Sequence, residues 1–366
     1  MSVTTNGRIS FVVGARPNFM KAAPVLSALE GRVDVELVHT GQHYDQAMSD
    51  SFFRDLDLPA PDVHLGVGSA THGAQTARVL SMYEEHLLQA RPDAVVVVGD
   101  VNSTLAAALA AAKLNIPVAH IEAGLRSFDR RMPEEINRVL TDQISRWLLT
   151  PSPDADANLL REGVPDEWIH RVGNVMIDTL LTSLPDARQA FPALRADLEL
   201  PTNYGVVTLH RPSNVDDPGT FHSIITALAK ISEDLPLIFP VHPRTRAAIE
   251  RQEGELGSGV IYCEPLGYLH FVALMAHSDL VFTDSGGVQE ETSVLGVPCL
   301  TLREHTERPI TVELGTNEVV GTDRNSIVEA AERVQGRRAE TVAIPLWDGH
   351  AGARVADVLV DALSNE

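Results

Sequence analysis

Cysteine is almost missing from this chain: Cys263 and Cys299 are the two it has. Both sit inside apolar runs that read as strands, so they are expected to be small core residues. That leaves no disulfide framework, no Cys/His metal spacing and no candidate thiol nucleophile. Long hydrophobic runs are missing too. No stretch reaches the ~20 apolar residues of a bilayer span, and no N-terminal segment joins a basic start to an apolar run, so a soluble, cytoplasmic protein without a membrane partner is expected. Neither Gly14 nor Gly286-Gly287 completes a Gly-x-Gly-x-x-Gly fingerprint, which leaves a nicotinamide cofactor unsupported. Short repeats, low-complexity tracts and heptads are also absent. Positive charge is scarce: 29 Lys and Arg stand against 50 Asp and Glu, a net charge of −21. This argues against nucleic acid or an anionic membrane as partner. Any anionic ligand must then be held locally, against the overall field, and every cation beside a glycine turn gains weight.

What the chain has is α/β alternation. Its 366 residues with 44% hydrophobic content suit two globular domains. The central stretch is Leu280 to Glu291: an apolar run, the turn Ser285-Gly286-Gly287, then helix-forming residues. Glycines without Cβ let a ligand approach the backbone, and the free N–H groups of a helix start favour an anion such as phosphate. Ser285 adds a hydroxyl donor, and Glu291, about one and a half turns in, can accept from a sugar diol. The plainer reading, glycines for a tight βα turn with Ser285 as N-cap, stands equally open at this point.

The same pattern recurs along the chain. Ile9 to Val13 runs into Gly14-Ala15-Arg16-Pro17-Asn18 and a helix from Phe19 carrying Lys21, so Arg16 is a candidate diphosphate partner or a surface cation. Val35 to Thr40 leads to Gly41-Gln42-His43, and residues 51–72 read as an exposed loop before a helix from Thr76. Asp93 to Val98 is a continuous apolar strand of the kind buried in a parallel sheet, ending in Gly99-Asp100. Asp100 is either a ligand-side carboxylate at a strand end or a cap for the helix from Asn102. Ile116 to Ile121 runs into Glu122, and Glu134 opens the helix after the following loop. Three carboxylates at one sheet edge are material for proton transfer, although Glu134 and Glu135 also suit a first helical turn electrostatically. A boundary is placed at Gly173, giving domains 1–172, with a C-terminal helix 350–366 packing back on it, and 173–349. A helical pair is expected from Val175 to about Leu198. Beyond it, strands lead to His210-Arg211, to His242-Pro243 and to the Ser-Gly-Gly turn, and Arg308 follows in Thr306-Glu307-Arg308-Pro309. The fold class is α/β with two Rossmann-like, doubly wound parallel sheets facing a cleft.

Gly14-Ala15-Arg16-Pro17 with Lys21, Gly41-Gln42-His43, Gly99-Asp100, Glu122 to Arg126, Pro133 to Arg138, His210-Arg211, Pro240 to Pro243, Thr283 to Glu291 and Thr306 to Pro309 occur in this order. Together they resemble the bacterial UDP-N-acetylglucosamine 2-epimerases of the non-hydrolysing type, from about Arg8 to the C-terminal helix. The resemblance implies the GT-B fold, a homodimer, a UDP-sugar substrate, and chemistry without metal or nicotinamide. It also implies roles: Asp100, Glu122 and Glu134 around the sugar with Lys21 nearby and His210 in the catalytic set; Arg16, Ser285, Gly286 and Gly287 on the diphosphate; Glu291 on the ribose; Arg308 at the sugar-phosphate region; and Phe271 at the uracil. Some bacterial members bind a second UDP-sugar as activator, and Gln42, His43, Arg78, Arg211 and His242 fall in or near the matching motifs. Asn18 stands where many relatives carry Glu, and Leu266 where several carry Gln. Tyr44-Asp45 and Arg130-Arg131 resemble a branch that includes enzymes acting on modified UDP-sugars, diacetamido uronic ones among them. The competing readings are a hydrolysing 2-epimerase, a GT-B glycosyltransferase and a silent sugar-nucleotide sensor.

Overall fold

The computed structural model describes residues 7–41, 58–251, 257–336 and 343–364. The chain divides into two compact units, Met1–Thr179 with Pro345–Glu366, and Leu180–Ile344. Each is built on one wholly parallel sheet.

The first unit holds β1 (Arg8–Val13), β2 (Asp34–His39), β3 (Val63–His64), β4 (Ala94–Val98), β5 (Val118–Ile121), β6 (Trp147–Thr150) and β7 (Ile169–Arg171). Their spatial order is β3-β2-β1-β4-β5-β6-β7. The chain therefore builds outward on one side of β1, then returns to start again at β4. That reversal between β1 and β4 is a topological switch point, the place where open α/β sheets collect ligands at their carboxyl ends. The turns leaving these two strands carry Gly14 to Asn18 and Gly99-Asp100. β4 reads Ala-Val-Val-Val-Val and is buried along its whole length, as a central parallel strand must be with helices on both faces. The core gathers Ile9, Phe11, Phe19 and Leu29 with Val355, Leu359 and Val360 of the C-terminal helix Ala351–Ser364. Asp178 fixes the start of that helix by accepting from the backbone N–H of Ala351 (3.1 Å) and Gly352 (2.7 Å).

The second unit holds β8 (Gly205–Thr208), β9 (Leu237–Pro240), β10 (Val260–Cys263), β11 (Leu280–Thr283), β12 (Cys299–Thr301) and β13 (Asn317–Val319). Their order is β10-β9-β8-β11-β12-β13. The switch point falls between β8 and β11, so His210-Arg211 and Ser285-Gly286-Gly287 leave neighbouring strands at the same sheet edge. Burial pushes the thiol of Cys263 up to about 11 and that of Cys299 to about 12, so neither is an active thiolate at neutral pH.

Three expectations need correction. The helical pair after Gly173 is one helix, Val175–Asp197, with Pro185 and Pro192 inside it; proline's fixed φ is compatible with the helix, and its lost hydrogen bonds do not break this one. Within the stretch expected to be an exposed loop, residues 58–72 contain the short strand β3, and the following helix starts at His72 rather than Thr76. The strand β13, unforeseen in the sequence, forms one edge of the second sheet, and the equally unforeseen helix Arg324–Val334 packs Ile327, Ala330 and Ala331 into the core beside the helix Pro218–Ile231. Among the described residues no helix is long and apolar enough to cross a membrane, and no group of three or more His, Cys, Asp or Glu could hold a metal ion.

Candidate active site

In the first unit the switch point assembles an acidic site with its own cations. The Lys21 ammonium, on the helix Arg16–Leu29, pairs with Glu122 at the end of β5, and both side chains are buried. The pair lies against Gly99. A Cβ on that residue would sit 3.2 Å from Lys21 Nζ and 3.3 Å from Glu122 Oε2, and φ there is +69°. Glycine is thus what lets the Lys21–Glu122 pair come up against the turn that carries Asp100. Glu122 itself has φ +72°, a conformation that costs a non-glycine residue of order 1–3 kcal/mol and concentrates at functional sites. Its backbone is held there by an N–H bond of 3.0 Å to the Leu149 carbonyl.

Asp100 does not cap the next helix. The cap position is Val101, and the Asp100 carboxylate instead pairs with Arg138. Of the two glutamates opening the helix Pro133–Ile144, Glu135 is buried and structural. It accepts from the backbone N–H of Ser127 (2.9 Å) and Phe128 (2.9 Å), and from Arg138 at 2.6 Å. Glu134, half-buried beside it, makes no hydrogen bond or ion pair among the described residues. Its carboxylate is available for work. Asn18 accepts from the N–H groups of Gly14 and Ala15, both at 3.0 Å, and donates to the Val98 carbonyl at 3.0 Å. It ties the β1 turn to the end of β4, a tie that the sequence left unread. His120, fully buried on β5, joins Asp142 at 2.6 Å and the Gly99 carbonyl at 2.8 Å. Burial alone would push the Asp142 carboxyl up, but the charges and hydrogen bonds of His120 and Arg126 hold it below the usual carboxylate range.

The second unit presents a cationic counterpart. The helix Gly286–Leu295 starts at the Ser-Gly-Gly turn, and Ser285 occupies the N-cap position without a side-chain capping bond. The first-turn N–H groups of a helix have no intrahelical partner, a feature that suits a helix start to an anion. Arg308 is packed onto it. The Arg308 guanidinium is oriented by Glu290 (2.6 Å) and Glu307 (2.7 Å). Glu307 also receives Arg303 at 2.8 Å and Arg211 at 3.3 Å, so three arginines converge on one buried carboxylate. Burial and the neighbouring cations lower the Arg303 guanidinium against the pull of Glu307. Buried Asp284 accepts from the backbone N–H of His210 (3.0 Å) and Arg211 (2.9 Å) and from the His210 ring at 2.9 Å. These contacts outweigh desolvation and keep its carboxyl low. Asp284, Glu290, Arg303 and Glu307 were not singled out in the sequence, though three of them lie inside motifs that were.

Glu291 is buried and joined by the Tyr268 hydroxyl at 2.8 Å; Tyr268 shares the helix Tyr268–Ala276 with half-buried Phe271, one turn on. Burial pushes the Glu291 carboxyl up to about 7, with Tyr268 drawing it down and the charge of Glu290 pushing it further up. Between about 4.5, its ordinary value, and about 7, the native ligand-free protein therefore binds more protons at this site than the unfolded chain. The site's contribution to stability falls as pH rises through that window and is fully lost above it, a cost of about 3 kcal/mol. Melting curves from pH 4.5 to 8 on wild type and Glu291→Gln should show the variant losing markedly less stability across the range; equal losses would refute the assignment.

Of the candidate regulatory residues, Gln42 and His43 lie outside the described residues, as does the side chain of Arg16. Arg78 is exposed on the first unit's helix His72–Ala90, and its guanidinium reaches the Val67 carbonyl at 3.5 Å. Arg211 and His242 lie in the second unit, where the His242 ring stands 6.2 Å from that of His210.

A family model for UDP-N-acetylglucosamine 2-epimerase matches residues 27–360. The chain belongs to the UDP-N-acetylglucosamine 2-epimerase family. It is 42% identical to the UDP-N-acetylglucosamine 2-epimerase of Methanocaldococcus jannaschii over 361 residues, which is 96% of this chain and 98% of that one. It is 43% identical over 357 residues to the UDP-2,3-diacetamido-2,3-dideoxy-D-glucuronate 2-epimerase of Pseudomonas aeruginosa, covering 96% and 99%. The crystal structure of the Methanocaldococcus jannaschii enzyme in complex with UDP-GlcNAc and UDP superposes with a TM-score of 0.90 at 42% identity, over 97% of this chain and 99% of that one. This epimerase family member is an isomerase with the GT-B class of fold.

Proposed function

We propose that the protein interconverts UDP-N-acetylglucosamine and UDP-N-acetylmannosamine by eliminating UDP to a 2-acetamidoglucal and adding it back with the opposite C2 configuration. The observation that carries this is in the first unit: Asp100 leaves β4 at the switch point of its sheet, the Lys21–Glu122 pair lies against neighbouring Gly99, and Glu134 opens the helix whose Arg138 pairs with Asp100. A silent sensor or a glycosyltransferase has no need of three carboxylates there. The 42% identical relative solved with UDP-GlcNAc and UDP supports the nucleotide-sugar class.

The C2 proton of an acetamido sugar is weakly acidic, so its removal must be coupled to departure of the diphosphate. In this reading Asp100 and Glu122 form the main acid/base pair, one taking the proton and the other returning one to the opposite face, with Glu134 assisting and Lys21 holding Glu122 in place. The Ser285–Gly287 helix start, Arg308, His210 and Arg16 absorb the charge of the leaving diphosphate. Glu291 takes the ribose hydroxyls and Phe271 lies against the uracil. A homodimer working in the cytoplasm, and a regulatory second UDP-sugar held through Gln42, His43, Arg78, Arg211 and His242, belong to the same reading and rest on the family resemblance.

Proton NMR of the protein with UDP-N-acetylglucosamine in D₂O should show deuterium at C2 as UDP-N-acetylmannosamine accumulates. Free sugar plus UDP would mean hydrolysis instead. The similarity to the Pseudomonas aeruginosa enzyme supports a second reading, a diacetamido uronic UDP-sugar. C2 exchange with that sugar and none with UDP-N-acetylglucosamine would replace the first reading by the second.

A further inference from the structure

Asp100 is held by two consecutive residues of one helix. Asn137 Nδ2 donates to the Asp100 backbone carbonyl at 2.9 Å, and the Arg138 guanidinium pairs with the Asp100 carboxylate. Arg138 is almost fully buried and carries a second carboxylate, Glu135, on its Nη1 at 2.6 Å. The two carboxylates differ. Glu135 is 2% exposed and further tied down by Ser127 and Phe128, whereas the side chain of Asp100 is 29% exposed. Neutralising a buried guanidinium takes one carboxylate, and Glu135 supplies it. The second pairing serves Asp100.

We propose that Arg138 is a positioning residue for the reaction, fixing the orientation of the Asp100 carboxylate and favouring its anion, and that Glu135 locks Arg138 in place for this. The inference rests on the reading of Asp100 as a proton-transfer group. Several charged groups described near Asp100 have partners of their own. From the helix Arg16–Leu29 and the end of β5 come Lys21 and Glu122, paired with each other against Gly99. From β5 comes His120, bound to the Gly99 carbonyl and to Asp142, which Arg126 also faces. From the helix His72–Ala90, His72 reaches Asn102 at 3.4 Å. The Arg138 guanidinium is in direct ion-pair contact with the Asp100 carboxylate.

An arginine beside an aspartate draws the carboxyl down by about 1–3 pH units. Two measurements on the full chain test this. The first is kcat and KM against pH with UDP-N-acetylglucosamine. The second is ¹³C NMR titration of labelled aspartate carboxyls without substrate, with the Asp100 signal assigned by its loss in Asp100→Asn. In Arg138→Met the Asp100 midpoint should rise by about one unit or more, and the limb of the kcat profile that Asp100 sets should move up with it. Turnover at neutral pH should fall about tenfold or more while KM changes less than about threefold. Arg138→Lys, which keeps the charge but not the fork, should leave the midpoint near wild type and lower turnover. Glu135→Gln removes the competing anion and should move the midpoint down, so opposite shifts are expected from two changes that both disturb packing. An unmoved Asp100 midpoint in Arg138→Met, or an equal rise in Arg138→Lys, overturns the proposal. If Arg138→Met does not fold, an upward or absent shift in Glu135→Gln does so. The carboxyl titration needs no substrate. A wild type that shows these shifts but exchanges no C2 proton would defeat the proposed reaction and leave the Arg138–Asp100 coupling standing.

Discussion

Asp100→Asn and Glu122→Gln should each lower epimerisation about 10²- to 10⁴-fold while leaving UDP affinity within about threefold of wild type. The separation follows from where the groups lie. Both carboxylates belong to the first unit, whereas all of the proposed diphosphate grip except Arg16, namely Ser285 to Gly287, Arg308 and His210, belongs to the second. The two variants should differ in stability. Glu122→Gln strips the buried Lys21 ammonium of its partner, and breaking a buried ion pair from one side typically costs about 3–5 kcal/mol. Asp100→Asn leaves Arg138 still paired with Glu135, so its melting temperature should stay close to wild type. Turnover by rapid-quench assay, UDP binding by calorimetry and thermal melts separate these effects. Folded variants that both keep near-native turnover would remove Asp100 and Glu122 from the chemistry.

The fold was legible because its signal is local. Apolar runs such as Val95 to Val98, followed by a turn and a helix start, reappear as the parallel strands of two doubly wound sheets. What the sequence could not show was pairing over distance. Asp100 as a helix cap and Asp100 as a strand-end carboxylate are the same letters; the cap position falls to Val101, and the carboxylate pairs with Arg138, 38 residues away. Glu134 and Glu135 are likewise adjacent in the chain, but one turns to Ser127, Phe128 and Arg138 and the other does not. The carboxylates behind the second site's cations, Asp284, Glu290 and Glu307, escaped notice for a related reason. In a chain with 50 acidic residues, these three stand out by their burial, which the sequence does not display. The unforeseen β13 has three residues, too short to carry a periodic signal.

Gly286 should be the least replaceable residue of the second site. A Cβ there would stand 2.5 Å from Arg308 Nη1 and 2.8 Å from its Cζ, with Glu307 Oε1 at 2.9 Å. The guanidinium has little freedom to yield, since Glu290 holds its Nε at 2.6 Å and Glu307 its Nη1 at 2.7 Å. Gly286→Ala must therefore displace either the helix start or the arginine, and in both cases the backbone N–H groups and the cation cease to converge on one anion. Losing one or two charge-assisted hydrogen bonds of about 1.5–3 kcal/mol each should weaken UDP binding about 10- to 100-fold or more. Calorimetry on a double-mutant cycle identifies the cause. If the clash with Arg308 is responsible, Gly286→Ala should do much less harm in an Arg308→Gln background, because the group it displaces is already gone. Simple additivity of the two losses would show that the methyl acts on the ligand itself and that Arg308 is a bystander to the turn.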